Sequence, residues 1–232
     1  MSDDTLLPCV EQEPPRPAES AVIWLHGLGA DGNDFAPIVP ELGLPADHTV
    51  RFVFPHAPSI PVTLNGGLVM PAWYDIKSLD VHGQDEAGIR RSDTELGKLI
   101  AREIARGIPT ERIVLAGFSQ GGAIALFSGL RHPAPLAGIM VLSSFLVAPD
   151  AVDEERSEAN RQVPIFSAHG THDPMVPYER GAEARDWLSS HGYQLEVHDY
   201  PMAHQVCLEE IQAIGVWLQR VLEIGTASKD IR

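Results

Sequence analysis

Cysteine is scarce in this chain. Cys9 and Cys207 are the two in 232 residues, and thiols so few and so far apart do not form a disulfide framework. Basic residues are also under-represented: 17 Lys and Arg stand against 32 Asp and Glu, a formal net charge of −15. A field of that sign repels nucleic acid and anionic lipid surfaces, which excludes both as electrostatic partners. No apolar run reaches the roughly 18 residues of a membrane span. The opening Met1-Ser-Asp-Asp-Thr5 lacks the basic region of a secretory signal. These absences lead to the expectation of a soluble, cytoplasmic protein in a reducing compartment, without stable membrane insertion. There is no internal repeat and no linker-like stretch, so residues 1–232 are expected to form one domain.

A composition 44% hydrophobic and 21% charged suits a compact core. Apolar runs at Ala21–Leu25, Thr49–Phe54, Ile113–Ala116, Ala137–Leu142 and Val163–Ala168 read as buried strands. Leu195–Tyr200 alternates and reads as a half-exposed edge, and Leu6–Val10 as a short outer strand. Amphipathic helices are expected over Ile89–Gly107, with Leu96, Leu99, Ile100 and Ile104 inward, over Glu179–His191, and from Gln205 to about Ile224. Asn33 or Asp34 is expected to cap a short helix through about Leu42, and Ala148–Arg161 reads as a solvated excursion. Alternating strands and helices predict an α/β fold with a mostly parallel central sheet covered on both faces. The long irregular segment from about 55 to 88 is expected to be a flap, and residues 225–232 a polar tail.

The chemistry centres on Leu115-Ala-Gly-Phe-Ser-Gln-Gly-Gly-Ala-Ile124. A strand, then Gly117-x-Ser119-x-Gly121, then a helix is the context of a nucleophile elbow, which exposes the serine hydroxyl on a strained turn. A serine hydroxyl needs a base to take its proton, and the base needs an acid to hold its tautomer. The chain order for such a sheet is Ser, acid, His. His204 follows the last strand, whereas His191, His198 and His132 fall at surface positions or at the far end of the elbow helix. Asp173 follows the penultimate strand, and Asp150 and Asp153 are the reserve acids. The oxyanion calls for two preorganised N–H donors. Gln120, directly after the nucleophile, supplies one at a helix N-terminus. The glycine-rich loop after Leu25 supplies the other, best placed at Leu28.

Five blocks then acquire a joint meaning: His26-Gly-Leu-Gly-Ala-Asp-Gly32, Pro71-Ala-Trp-Tyr-Asp75, Gly117-Phe-Ser-Gln-Gly-Gly122, His169-Gly-x-x-Asp173-x-x-Val-Pro177 and Pro201-Met-x-His204. In this order they resemble the carboxylesterase and acyl-protein thioesterase (lysophospholipase-like) family of small α/β-hydrolases. The resemblance implies an α/β-hydrolase fold and a Ser119, Asp173, His204 triad with Leu28 and Gln120 as oxyanion hole. It further implies an acyl-chain groove bordered by the Leu64–Trp73 stretch, with Leu68, Trp73, Leu146 and Val176 as substrate-binding residues. The implied partner is an acyl ester or thioester. No cofactor or metal is expected, and a homodimer is left open.

The expected reaction is serine carboxylesterase chemistry through an acyl-enzyme. Protein S-acyl thioesterase or lysophospholipase activity is the alternative within the family, and a non-catalytic ligand-binding protein of the same fold is the remote one. A metal-dependent hydrolase would need His169, His172, Asp173 and His204 as ligands. No carboxylate-rich second cluster accompanies them in sequence.

Overall fold

The computed structural model describes residues 5–77 and 84–225. The expected flap loses its segment 78–83 from this description, and the expected polar tail all but Gly225. Seven strands form the main sheet: β1 (Cys9–Gln12), β2 (Ser20–Leu25), β3 (Val50–Pro55), and four later ones in chain order. A separate hairpin, β4 (Ser59–Val62) with β5 (Leu68–Pro71), intervenes. The later strands are β6 (Ile113–Phe118), β7 (Gly138–Leu142), β8 (Ile165–Gly170) and β9 (Leu195–Tyr200). Their spatial order is β1-β3-β2-β6-β7-β8-β9. The β1–β3 pair is antiparallel and every other pair of the main sheet is parallel.

The hydrophobic pattern sets the layers. Strands β2, β6, β7 and β8 are buried along their whole length, as parallel strands covered on both faces must be. Successive β2 residues serve opposite faces. Ala21, Ile23 and Leu25 pack into the core under α1 (Glu86–Ala105) and α2 (Gln120–Arg131). Val22 and Trp24 pack into the core under α5 (Leu208–Val221), where Ile211, Ile214 and Leu218 are buried. The first core also takes Val152 from α3 (Pro149–Glu155), and Ala184 and Leu188 from α4 (Tyr178–Ser190).

Several expectations are corrected. The outer strand begins at Cys9 rather than Leu6. Residues Ala36–Leu42 form a 3-10 helix whose N-cap is Phe35, with no side-chain cap from Asn33 or Asp34. Pro40 inside that segment removes an amide that an α-helix would use. Ile104 is exposed, being on the last turn of α1 beyond the packed stripe. The excursion 148–161 contains α3 and a 3-10 turn, and it buries Val152 and Asn160. Asn160 is held there because its amide bonds His132 O, Ala134 O and Leu136 N. Helix α5 starts at Leu208, three residues later than expected, with Cys207 as N-cap and only half-buried.

Candidate active site

Ser119 occupies the turn between β6 and α2, where it is the N-cap of α2 with φ 53° and ψ −121°. A non-glycine residue in that region costs on the order of 1–3 kcal/mol, so its surroundings must impose it. Glycines on either side make the turn feasible. A Cβ on Gly117 would lie 2.3 Å from Gly121 C and O. A Cβ on Gly121 would lie 2.4 Å from Leu25 O and 2.5 Å from His26 O. Helix α2 therefore starts in backbone contact with the end of β2, which brings the Gln120 amide beside the loop that follows Leu25. Main-chain bonds fix the elbow further: Ser119 N donates to Leu142 O at 2.9 Å, and Ser144 Oγ donates to Ser119 O at 2.6 Å.

The glycine loop is held from several sides. His26 is buried, its Nδ1 is 2.7 Å from Gly27 O, and its Nε2 accepts from Ala57 N at 3.1 Å. An Nε2 that accepts from a backbone amide carries no proton, so Nδ1–H is the donor to Gly27. Burial pushes the imidazole pKa below its ordinary value, in keeping with this neutral tautomer. Trp73 Nε1 donates to His26 O at 2.8 Å, and Gly29 N donates to Pro71 O at 2.8 Å. The backbone amides of Leu28 and Gln120 are not taken up by another group among the described residues, and both residues line one cavity with Ser119.

His204 lies in the turn between β9 and α5, its ring 4.7 Å from that of Phe118. Its Nδ1 is 2.6 Å from Asp173 Oδ2. The Asp173 side chain is fully buried, and its Oδ1 accepts from Met175 N at 2.8 Å and Val176 N at 2.9 Å. Each carboxylate oxygen thus has a hydrogen-bond partner, which holds the acid in one orientation. Asp150 and Asp153 lie on α3 and do not reach His204. His169 is buried with Nε2 donating to Val176 O at 2.9 Å and 3.6 Å from Asp173 Oδ2. His172 is exposed, so the four side chains a metal site would require do not converge. Among the described residues, no group of three or more His, Cys, Asp and Glu is placed to hold an ion. Glu210, on the first turn of the helix that follows His204, is fully buried.

Ser119 and His204 open onto a cavity of about 350 Å³ whose walls include Leu64, Tyr74, Phe118, Phe145, Met175 and Val176. Of the four expected substrate-binding residues, only Val176 lines it. Leu68 is 62% exposed on the hairpin, outside the cavity. Trp73 lies behind the glycine loop and faces a different cavity with Pro58 and Ile60. Its indole N–H bond to His26 O braces the loop. Leu146 lines a smaller adjoining pocket of about 120 Å³.

Sequence reasoning assigned Gln120 for its amide and missed its buried side chain. Gln120 Oε1 accepts from Trp73 N at 2.8 Å, and Nε2 donates to Tyr74 O at 2.7 Å. Ser92 Oγ donates to Trp73 O. The elbow, the glycine loop and the Pro71–Tyr74 segment are therefore one hydrogen-bonded unit. The Trp73 indole N–H signals a buried partner, but that partner is His26 O, and nothing in the sequence marks the Gln120 side chain.

The family model for phospholipase/carboxylesterase matches residues 9–222. Acyl-protein thioesterase 1 of Neurospora crassa is 45% identical over 221 residues, covering 90% of each chain. Among solved structures, SOBER1 of Arabidopsis thaliana superposes with a TM-score of 0.83 at 33% identity, covering 88% of this chain and all of that one. Acyl-protein thioesterase 2 of Zea mays gives a TM-score of 0.82 at 27% identity, covering 93% and 99%. A match that runs from the first strand of the sheet to the end of its last helix carries a plain conclusion: the chain belongs to the phospholipase/carboxylesterase family of α/β-hydrolases.

Proposed function

We propose that this chain is a serine hydrolase of carboxylic esters and thioesters that works through an acyl-enzyme. The observation that carries the reading is the Asp173–His204 contact of 2.6 Å, with His204 lining the same cavity as a serine held at positive φ. His204 takes the proton of Ser119 as the hydroxyl attacks the acyl carbonyl, then gives it to the departing alcohol or thiol. It next activates the water that releases the acid. Asp173 keeps Nδ1 protonated and stabilises the imidazolium. The Leu28 and Gln120 amides receive the oxyanion, the second aided by the positive end of α2, and one such donor is worth about 3 kcal/mol. Similarity to acyl-protein thioesterases, together with an apolar cavity, favours acyl thioesters among the substrates. A cytoplasmic site of action fits the two free cysteines, and one domain over 1–232 fits the extent of the family match.

Ser119→Ala should abolish hydrolysis of short p-nitrophenyl esters while circular dichroism and melting stay near wild type. A fluorophosphonate should label Ser119 stoichiometrically in wild type and fail to do so in His204→Ala. Near wild-type turnover in Ser119→Ala, or labelling of another serine, refutes the assignment.

A further inference from the structure

The cavity at Ser119 contains a cation the mechanism does not use. Arg180 lines it, and is the one Lys or Arg among its described lining residues. It sits in the first turn of α4, the positive end of a helix, where a cation is disfavoured by the dipole. Its side chain is only 21% exposed. Yet the guanidinium makes no hydrogen bond among the described residues. Its nearest carboxylate among the described residues is Glu183 at 3.9 Å, which is itself 66% exposed, and its Cζ lies over the Phe145 ring, 5.5 Å from the centroid. A guanidinium has five N–H donors in a fixed fork. A half-buried fork without a hydrogen-bond acceptor, at the wrong end of a helix, is a local conflict that the ring contact and the long ion pair relieve only in part, and such conflicts concentrate at functional positions. The walls around it are apolar: Phe145, Met175 and Val176. Asp34 also lines the cavity, its carboxyl pushed up by burial.

We propose that Arg180 is a specificity-determining residue that takes a carboxylate carried on the acyl chain, so that half-esters and half-thioesters of dicarboxylic acids are preferred substrates. Planar carboxylate and planar guanidinium pair bidentately, which matches a fork left open. The apolar walls take the methylenes between the carboxylate and the scissile carbonyl. The net charge of −15 opposes anions at long range, so recognition depends on this single local cation. In the reaction the ester bond to Ser119 forms as the alcohol or thiol leaves with a proton from His204. One water then cleaves the acyl-enzyme and releases the dicarboxylate.

This inference rests on the hydrolase reading and is separable from it by experiment. The p-nitrophenyl half-esters of adipic and suberic acid are compared with p-nitrophenyl hexanoate and octanoate as neutral esters of equal chain length. The readout is the ratio of kcat/KM, charged over neutral. In Arg180→Met, which keeps an apolar stem, the ratio should fall roughly ten- to a hundredfold, the worth of charge-assisted hydrogen bonds. Arg180→Gln should show the same loss, and Arg180→Lys should recover part of it. Fluorophosphonate labelling of Ser119 reports that each variant is folded. A ratio that stays within twofold of wild type in folded Arg180→Met or Arg180→Gln overturns the proposal and leaves the hydrolase reading standing. Failure of wild type on all four esters removes both.

Discussion

Glu210 turns a buried charge into a measurable pH dependence. It is fully buried, and among the described residues neither side-chain oxygen has a partner of normal hydrogen-bond geometry. Burial pushes its pKa up from the ordinary 4.5 to about 8, the Cys207 backbone amide offsetting this only in part. A carboxyl whose folded pKa is raised contributes its full stability below pH 4.5, where it is neutral in both states. That contribution is lost as pH rises towards 8, because the unfolded chain gains from ionising and the folded one does not. At about 1.4 kcal/mol per pH unit the whole loss is about 5 kcal/mol, of which about 3 to 4 falls between pH 5 and pH 8. The neighbouring Tyr200, pushed up to about 12, and the Cys207 thiol, also raised, stay neutral across this window. Glu210→Gln removes the titration but leaves a buried amide unsatisfied, a pH-independent cost of about 1–3 kcal/mol. The variant should therefore be less stable than wild type at pH 5 and more stable at pH 8, with the two curves crossing between. For a domain of this size, 3–4 kcal/mol corresponds to a swing in relative Tm of about 6–16 °C. Urea or thermal melts at pH 5, 6, 7 and 8 measure it. A stability difference between the two proteins that is constant over this range refutes the assignment of a neutral buried Glu210.

The remaining predictions concern the hydrogen-bonded unit at the elbow. Gly121→Ala forces a Cβ into the Leu25 and His26 carbonyls at 2.4–2.5 Å. It should cost about 1–3 kcal/mol in chemical denaturation and at least tenfold in kcat, through displacement of the oxyanion loop. An unchanged kcat would show that the loop does not depend on this contact. Trp73→Phe keeps the ring but strips the donor from His26 O, so stability should fall by about 1–2 kcal/mol and kcat more than KM should suffer. A pure KM effect would instead make Trp73 a substrate contact.

The central strands were legible because residues buried on both faces leave unbroken apolar runs, as in Ala21–Leu25. The elbow was legible because its Gly-x-Ser-x-Gly pattern falls between a strand and a helix that are both apparent in the sequence. The pairing of Asp173 with His204 followed from chain order, since both must emerge at strand ends on one side of a parallel sheet. Residues whose role depends on distant chain were not legible. The Gln120 side chain bonds Trp73 and Tyr74, 47 and 46 residues away, and no local pattern marks that. The hairpin β4–β5 was read as irregular, because its strands have four residues each, two of them carry Pro61 and Pro71, and period-two alternation is too brief to see. Leu68 was assigned through the family resemblance rather than from a strand pattern, and apolar residues also populate surfaces.

That hairpin shares no strand pairing with the seven-stranded sheet. It is tied down at its ends, through Ala72 N to Pro58 O, Gly29 N to Pro71 O and the Thr63–Asp75 pair. At its tip Gly66 and Gly67 have positive φ, and a Cβ added at either would meet nothing within 4 Å. Lengthening such a loop is thermodynamically cheap, about 0.6 kcal/mol for each doubling. Mutational drift at the exposed residues 64–69 is therefore weakly coupled to folding, whereas drift at the elbow is forbidden by backbone collisions. Selection can try new rims around an unchanged reaction centre, and a laboratory library confined to those six positions should yield folded variants at high frequency.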